Sequence, residues 1–468
     1  MKRIERCQIF TPEDKVNKLL DIINYKKKLY GEKFLENSCG DGSVLKNAVS
    51  RYIKDCINKK IPKNKIKKGL EDDIWGFEID HQKYLECMNN LNKTASYYGF
   101  YDVKWNLHEE DFLKYNFNLK FSYIAGNPPY INYRDLTSET REFIKNNFKT
   151  CSKGKFDYCY AFIEKSLSCL SDYGKLAYLI PSSIFKNVFA EKLREYILPS
   201  ISTIYDFKTE KVFSKALVAT SILVCEKGKN KKQILYKNEE IKTYIKIPKS
   251  SLKQKWVFKV KESENMSAKL KFGDLFNAQI SIATLLNKAF IIKPNNNNCH
   301  IEKEVIRPAK SPRNLAYEID EQIIFPYYYK DGKLMKYKIE EFEKKYPCAV
   351  QHLKEFEDKL NTRNKDTSAE WFEYGRSQAL SHLNQNKLLI STVVTDSIKV
   401  YELTKEDIPY AGIYITSKNG TSLNKAKQLL NSDAFLEYVN NIGIQASGTS
   451  LRITPKDVND FEFDMEAI

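Results

Sequence analysis

The sequence lacks the long apolar segments of a membrane protein or a secretory leader. No run approaches the ~18 apolar residues that a membrane span needs, and the first residues, Met1 to Arg6, are mostly charged. The ten cysteines include no C-x-x-C pair, and Cys299 with His300 cannot form a zinc site alone. We therefore expect a soluble, cytoplasmic protein with reduced thiols, no metal centre and no membrane partner.

Acidic residues are outnumbered by basic ones. The 468 residues include 76 Lys and Arg against 60 Asp and Glu, a formal net charge of +16. This excess favours a polyanionic partner, with nucleic acid as the first candidate. An AT-rich genome, which encodes many Lys, Asn, Ile and Tyr residues, would produce part of the same charge. The length allows two domains, each with a core of its own.

The most informative motif is Asn127-Pro128-Pro129-Tyr130, which follows an apolar run at 121–125. The run predicts a buried strand, and open α/β sheets bind ligands at the carboxyl ends of their strands. The Asn127 side chain and the Pro128 backbone each offer a carbonyl to an exocyclic amine, and the prolines stiffen the loop. Tyr130 offers an aromatic face to a planar base. Alone, the motif is explained equally well by an ordinary turn.

A glycine-containing turn upstream changes that balance. Residues 33–36 predict a strand that leads into a turn and a helix at 37–45. Gly40 and Gly42 in this turn let the backbone approach a ligand closely. A lone G-x-G is weak support, but its position after a strand suits a cofactor site.

Two acidic signals complete the series. Residues 74–80 predict a second strand, and Glu78 at its end is well placed to bind ribose hydroxyls. Asp111, shortly before the strand that leads to Asn127, can accept from an adenine amine, and Phe112 can pack against the ring. The order of these four signals is far more specific than any one of them.

With this series the chain resembles the γ-class (TaqI-like) DNA adenine-N6 methyltransferases of restriction–modification systems. The N-terminal matches are a motif X at 10–13, the glycine turn, the ribose acid, the N-P-P-Y loop, a helix at 155–164, a strand at 174–181, and an aromatic at 211–213 before a hairpin at 218–224. Looser C-terminal matches lie at 273–292, 323–327, 370–371, 375–376 and 447–455. The resemblance covers most of the chain.

The resemblance implies an α/β fold in which a doubly wound, Rossmann-like methyltransferase sheet precedes an α+β target-recognition domain. Residues 1–245 would form the catalytic domain and residues 246–468 the DNA specificity domain. The implied cofactor is S-adenosyl-L-methionine and the implied partner is double-stranded DNA. We expect a monomer that acts either with a separate cognate endonuclease or as an orphan methylase, since too few residues precede Thr11 for a nuclease domain.

The resemblance also assigns residues to roles. The catalytic residues would be Asn127, Pro128, Pro129 and Tyr130. The cofactor-binding residues would be Thr11, Glu36, Gly40, Gly42, Glu78, Ile79, Asp111 and Phe112. Tyr130 and Phe213 would stack on the target base, while Trp371, Arg376 and Arg452 would face DNA.

Some of these roles have alternatives. Glu36 is expected to meet the methionine ammonium or to be a solvated acid at a strand end. Thr11 is expected to contact the cofactor carboxylate, to cap a helix ahead of Pro12, or both. Phe213 is equally well explained as a core aromatic. Trp371, like the two C-terminal arginines, is as readily an ordinary surface or core residue.

Departures from the family pattern concern backbone geometry more than the reaction. Asn37 stands where the family commonly has Pro after the acid, and Cys39 and Asp41 lie within the glycine turn. Thr284 lies in a segment where relatives often carry Thr-Gly, and here the Gly is absent.

Patterns outside the motifs predict further elements. Alternating strands and helices to about residue 200 are typical of a doubly wound sheet. We expect a helix at 11–24, a helix followed by a solvated loop at 49–70, and helices at 422–431 and 434–441. Residues 246–270 are polar and are expected to bridge the domains.

Three other functional classes remain open. Protein-glutamine and ribosomal-RNA methyltransferases also carry N-P-P-Y loops, although the basic C-terminal half disfavours them. A DNA-binding specificity subunit with a decayed methyltransferase fold is disfavoured by the intact series of Glu36, Glu78, Asp111 and Asn127. The third class is a fused methyltransferase–nuclease. Analysis of methylated nucleosides would separate these classes.

Overall fold

The computed structural model describes residues 11–208, 219–228, 230–239, 241, 243–258, 269–292, 301–447 and 450–464. The chain divides into two units, Met1–Lys261 and Glu262–Ile468. Within the described ranges no helix is long and apolar enough to cross a membrane. No group of three or more His, Cys, Asp and Glu residues in that part of the chain could hold a metal ion.

The first unit is built on a nine-stranded sheet with the order β3-β2-β1-β4-β5-β7-β6-β8-β9. Its strands are β1 Phe34–Glu36, β2 Ile74–Phe77, β3 Asn106–His108, β4 Phe121–Gly126, β5 Leu170–Pro181, β6 Ile201–Asp206, β7 Thr220–Glu226, β8 Gln233–Asn238 and β9 Ile245–Pro248. The first five strands in chain order are parallel to one another, whereas β7 lies antiparallel between β5 and β6.

The chain reverses its direction of travel across the sheet at β1. From β1 it moves outward through β2 to β3 and then returns to β4 on the other side of β1. The carboxyl ends of β1 and β4 therefore meet at a topological switch point, where open α/β sheets bind their ligands. The motifs at Glu36 and Asn127 both follow these ends.

Helices cover both faces of the sheet. They are α1 Glu13–Ile22, α2 Ser43–Asn58, α3 Lys63–Asp73, α4 His81–Tyr97, α5 Ser138–Asn147, α6 Cys159–Cys169 and α7 Glu191–Ile197. Successive residues of β5 alternate between two apolar cores, with Tyr178 in the core that α6 and α7 cover and Leu179 in the core that α1, α2 and α4 cover. The doubly wound expectation is confirmed.

Two local expectations need correction. Residues 49–70 form parts of two helices rather than a helix and a solvated loop, because Ile66 and Leu70 are buried one turn apart beneath the lysines of α3. The helix expected at 155–164 begins at Cys159, since residues before it pair with the loop after Tyr130.

The first unit extends beyond the expected boundary at 245. Strand β9 pairs with β8 at the edge of the sheet. Beyond it, Leu252 and Trp256 are buried, and the Trp256 ring stacks on Phe185 with a centroid separation of 6.1 Å. The division therefore falls at Lys261, because these apolar side chains belong to the first core.

The second unit is α+β, as expected, with several small sheets. Its strands are β10 Lys269–Lys271, β11 Phe276–Ile280, β12 Ile291–Ile292, β13 Ile306–Lys310, β14 Glu321–Ile324, β15 Tyr327–Lys330, β16 Lys333–Lys336, β17 Lys387–Ile390, β18 Val393–Val394, β19 Tyr401–Leu403, β20 Ile408–Pro409, β21 Ile413–Ser417, β22 Ile444–Ser447, β23 Ser450–Arg452 and β24 Glu462–Asp464. Its helices are α8 Phe272–Leu275, α9 Asn287–Phe290, α10 Pro312–Ala316, α11 Ile339–Lys345, α12 Pro347–Lys354, α13 Glu357–Thr362, α14 Leu423–Leu430, α15 Asp433–Ile442 and α16 Pro455–Asn459. The helices expected at 422–431 and 434–441 are confirmed as α14 and α15.

Candidate active site

The glycine turn between β1 and α2 is shaped by two left-handed residues. Gly40 and Gly42 have φ of +54° and +81°, conformations that glycine adopts without steric cost. A Cβ on Gly42 would lie 2.7 Å from the Cys87 sulfur on α4, whereas one on Gly40 would meet nothing within 4 Å. Gly42 therefore lets the turn pack on α4, and Gly40 leaves an open face beside the switch point.

Glu36 lies buried at the end of β1. It is 3% exposed, and its Oε2 accepts the Leu45 N–H of α2 at 3.0 Å, capping that helix. Burial raises the pKa of Glu36 well above its ordinary value, and Cys87 and Asp41 raise it further, while the Leu45 N–H lowers it. The expectation of a solvated strand-end acid is therefore wrong.

Glu78 closes the turn from the end of β2. Its Oε2 accepts the Gly40 N–H at 2.8 Å, and its Oε1 accepts the N–H groups of Ile79 and Asp80, both at 2.9 Å. The Ile79 side chain is 60% exposed. Two carboxylate oxygens offer about four acceptor positions, so the carboxylate keeps room for a hydroxyl donor.

Asp111 follows β3 at the same edge of the sheet. Its side chain is 23% exposed, and Oδ1 accepts the Leu113 N–H at 2.9 Å. Phe112 is 2% exposed, packing edge-on against Phe77 and in a stacked arrangement against Phe162. Phe112 is thus a core aromatic beneath the loop that carries Asp111.

The Asn127 loop is hydrogen-bonded to two other segments and within itself. The Asn127 Nδ2 donates to the Thr11 hydroxyl at 3.4 Å, and the Ser38 hydroxyl donates to the Asn127 backbone carbonyl at 3.2 Å. The Tyr130 hydroxyl donates to the Asn127 Oδ1 at 2.5 Å. Residue Pro128 is buried and Pro129 half-buried. The fold therefore brings the Thr11 segment, the glycine turn and the loop together.

Thr11 does not cap α1. The N-cap is Pro12, which makes no side-chain capping hydrogen bond, so the expectation that Thr11 is the N-cap is wrong. The contact with Asn127 replaces it.

Asn37, which stands where the family commonly has Pro, makes buried contacts with neighbouring elements. The side chain is 2% exposed, and its Nδ2 donates to the Ser166 hydroxyl at 2.8 Å and to the Tyr178 hydroxyl. Asn37 thereby joins the end of β1 to α6 and β5 without disturbing the turn that follows.

A polar cavity beside the Asn127 loop was missed by sequence reasoning. The cavity holds about 70 Å³, and its lining includes Asn132, Asp157, Ser183 and Asn187. Burial raises the pKa of Asp157 to about 6, against hydrogen bonds from the Cys159 and Ile131 N–H groups that lower it. The Tyr158 N–H donates to the Ile131 carbonyl at 3.0 Å. No local pattern marks Asp157, because the distant loop that it contacts is brought to it only by folding.

The other residues expected to contact the target base or DNA do not lie among the described residues around the Asn127 loop. Phe213 is outside the described residues. In the second unit, Trp371 is half-buried against Phe372, the Arg376 guanidinium pairs with Asp366 at 2.7 Å, and Arg452 is exposed on β23.

The segment that lacks the expected glycine keeps a glycine-like backbone. Leu285, directly after Thr284, has φ of +58°, a left-handed conformation that costs a leucine roughly 1–2 kcal/mol. The buried Thr284 hydroxyl accepts the Leu286 N–H at 3.1 Å. This turn is therefore held by its surroundings rather than by glycine.

Comparisons with known proteins show what this chain is similar to. Residues 25–213 match the sequence model of the family described as Eco57I restriction-modification methylase. The chain is 23% identical to the type II methyltransferase M.BstVI of Geobacillus stearothermophilus, over 95% of this chain and 87% of that protein. It is 25% identical to the type II restriction enzyme and methyltransferase RM.Eco57I of Escherichia coli, over 60% of this chain and 33% of that protein. The chain thus spans about a third of RM.Eco57I.

A solved structure shares the fold. The type IIL restriction-modification enzyme MmeI, solved in complex with DNA, superposes with a TM-score of 0.61 and 16% identity over 96% of this chain and 64% of that one. The likeness covers both units and confirms the fold class.

Proposed function

We propose that the protein transfers a methyl group from S-adenosyl-L-methionine to N6 of an adenine flipped out of duplex DNA, since residues 25–213 match the sequence model of the Eco57I restriction-modification methylases. The observation that carries this proposal is the Asn127 loop at the switch point, held against Thr11 and Ser38 beside the glycine turn. The loop and the turn lie where a cofactor and an amine could meet.

The residues at the turn suit the proposed cofactor. Glu36 is a buried acid whose pKa is raised first by burial and then by Cys87 and the nearby acids, so an ammonium group brought beside it would favour its charged form and be stabilised by it. Glu78 retains acceptor capacity for ribose hydroxyls, Asp111 for an adenine amine, and Thr11 supplies a hydroxyl near Asn127. When bound, S-adenosyl-L-methionine supplies an electrophilic sulfonium methyl, so no covalent enzyme nucleophile is needed.

The proposed work of the chain is to activate and orient the amine. The adenine N6 lone pair is conjugated with the ring and is a poor nucleophile. Hydrogen bonds accepted by the Asn127 Oδ1 and the Pro128 carbonyl would draw N6 toward tetrahedral geometry and stabilise the positive charge that develops there. The stiff Pro-Pro segment would supply the in-line orientation.

Adenine N6 is enclosed in the duplex, so the base must be extruded before it reacts. Tyr130 is proposed as one stacking face and Phe213 as the other, each worth roughly 1–3 kcal/mol. The net charge of +16 favours attraction to the phosphate backbone. We assign sequence reading to the second unit, with Trp371, Arg376 and Arg452 as candidates, and propose that the protein acts as a cytoplasmic monomer.

The Asn127→Ala variant tests the chemistry separately from binding. It removes one of two proposed acceptors and should lower single-turnover methylation of duplex DNA by ~100-fold or more. Calorimetric affinity for S-adenosyl-L-methionine should change much less. The exposed Asn147, at the end of α5, gives a matched control in Asn147→Ala, which should leave both quantities unchanged. Loss of cofactor binding with normal turnover per bound complex would overturn the role given to Asn127.

A further inference from the structure

An exposed apolar tip follows β5. Val188 and Phe189 are 61% and 43% exposed and lie in a short helical turn, Val188–Ala190. A Cβ on Gly154 would lie 2.8 Å from the Phe189 ring, so the ring rests against the Gly154 backbone. Large apolar side chains that stay exposed together at a loop tip are candidates for contact with a partner.

The tip is held in place by a buried cation. Arg194 on α7 is 3% exposed, and its guanidinium donates to the carbonyls of Ile184 and Asn187, both at 2.7 Å. The Asn187 Oδ1 in turn accepts the Phe189 N–H at 3.0 Å. A buried guanidinium is costly unless it is hydrogen-bonded, so this arrangement fixes the backbone under the tip before any partner arrives.

The tip adjoins the candidate active site within the same unit. Asn187 lines the polar cavity together with Asn132, two residues beyond Tyr130. Tyr178 of β5 is in register with Gly126, so the segment that leaves β5 emerges beside the Asn127 loop. Phe189 therefore stands at the edge of the sheet where a nucleobase would enter.

Basic side chains surround the tip. Lys153 and Lys155 are exposed on either side of Gly154, and the Lys192 Nζ donates to the Ser152 hydroxyl at 2.9 Å. Lysines that can meet phosphates, next to an apolar side chain that can enter the base stack, are the combination that DNA-distorting proteins use. The surrounding charge favours duplex DNA as the occupant over a protein surface.

We propose that Val188 and Phe189 form an apolar wedge that enters the base stack of duplex DNA at the place left by the flipped base. Insertion would offset part of the unstacking and unpairing free energy that extrusion requires. The inference rests on the proposed function, because the wedge acts only if a base is extruded toward Asn127.

The test measures extrusion apart from chemistry. A duplex carrying the motif that the wild-type protein methylates, read by modification-aware sequencing of plasmid DNA, is made with 2-aminopurine at the target position. Phe189→Ala should lower the fluorescence increase on binding and lower single-turnover methylation of the adenine duplex about 10-fold to 100-fold. Tyr173→Ala is the matched control, because Tyr173 is 80% exposed toward the opposite end of β5, and it should behave as wild type.

A pre-extruded substrate distinguishes a wedge from a folding defect. When the target adenine faces a mispaired or abasic position, the Phe189→Ala variant should recover to within about threefold of wild type, because less extrusion free energy is then needed. Unchanged methylation of the paired duplex, or a defect that the mispair does not rescue, would overturn the wedge. A wild-type protein that methylates no DNA adenine would instead overturn the proposed function, and the wedge with it.

Discussion

The acceptor on which the proposed chemistry depends is already engaged. The Tyr130 hydroxyl donates to the Asn127 Oδ1 at 2.5 Å, and burial raises the pKa of Tyr130 well above its ordinary value, so this hydroxyl stays protonated at neutral pH. An amide oxygen has two acceptor positions, and the second remains for an N6–H donor. The Asn127 Nδ2 contact with Thr11 leaves Oδ1, not Nδ2, to face Tyr130. The acceptor orientation is therefore set before substrate binds.

A second residue-scale feature predicts a stability effect that depends on pH. Burial raises the pKa of Asp157 from 3.8 to about 6, so between these pH values the folded state binds more protons than the unfolded state. Stability then falls as pH rises through this window and stays lower above it. Asp157→Asn mimics the protonated acid and should raise the free energy of unfolding by about 1–3 kcal/mol at pH 8, with little change at pH 4.

Urea unfolding at both pH values measures this effect. Asp172→Asn provides the control, because that side chain is 90% exposed, and its free energy of unfolding should equal that of the wild-type protein at both pH values. If Asp157→Asn raised the free energy of unfolding equally at pH 4 and pH 8, ionisation of Asp157 would not be what destabilises the folded protein at high pH.

At the scale of elements, the glycine turn leads to a prediction for Gly42 that Gly31 can control. Gly42 and Gly31 share nearly the same φ, +81° and +82°, but only a Cβ on Gly42 meets another residue, the Cys87 sulfur. Gly31→Ala should cost about 1–2 kcal/mol for the left-handed backbone alone. Gly42→Ala should cost a further 1–3 kcal/mol, roughly the price of overpacking, and should weaken cofactor binding.

The double variant Gly42→Ala with Cys87→Ala identifies the cause. Removing the sulfur should restore about 1 kcal/mol or more of the lost stability, since the two residues touch and their effects couple. Chemical denaturation of the wild-type protein, the two single variants and the double variant completes this double-mutant cycle. Additive effects would mean that the turn does not pack on α4 as described.

The sequence predicts elements well where a motif and a buried strand coincide. The strands before Glu36, Glu78 and Asn127 were each predicted, because short apolar runs end at polar residues there. Helix α3 was not predicted, because its two buried apolar residues, Ile66 and Leu70, lie among many lysines. Asp157 and Arg194 were missed for a different reason: their partners are carbonyls and N–H groups of other loops, which no local pattern reveals.

For the whole molecule, the boundary between units changes which fragment should fold. Trp256 is 1% exposed and stacks on Phe185, and removing such a buried aromatic costs about 3–5 kcal/mol. A fragment of residues 1–261 should therefore unfold at a clearly higher urea concentration than one of residues 1–245. The boundary was not predictable from the polar composition of 246–270, because the few apolar side chains in it decide where it packs.

The same fragment tests the division of labour. Residues 1–261 should bind S-adenosyl-L-methionine by calorimetry but methylate DNA poorly and without sequence preference, whereas full-chain DNA affinity should fall steeply with salt. Equal stability of the two fragments would contradict the packing at Trp256. A fragment that methylates the full-length motif would move sequence reading into the first unit.

The proposed reaction delivers the methyl group to one atom, N6 of adenine. The full-length protein, incubated with labelled S-adenosyl-L-methionine and mixed-sequence duplex DNA, should yield N6-methyladenine on nucleoside analysis by mass spectrometry, and Asn127→Ala should abolish most of the label. N4-methylcytosine as the sole product, or label found only in RNA or protein, would contradict the account.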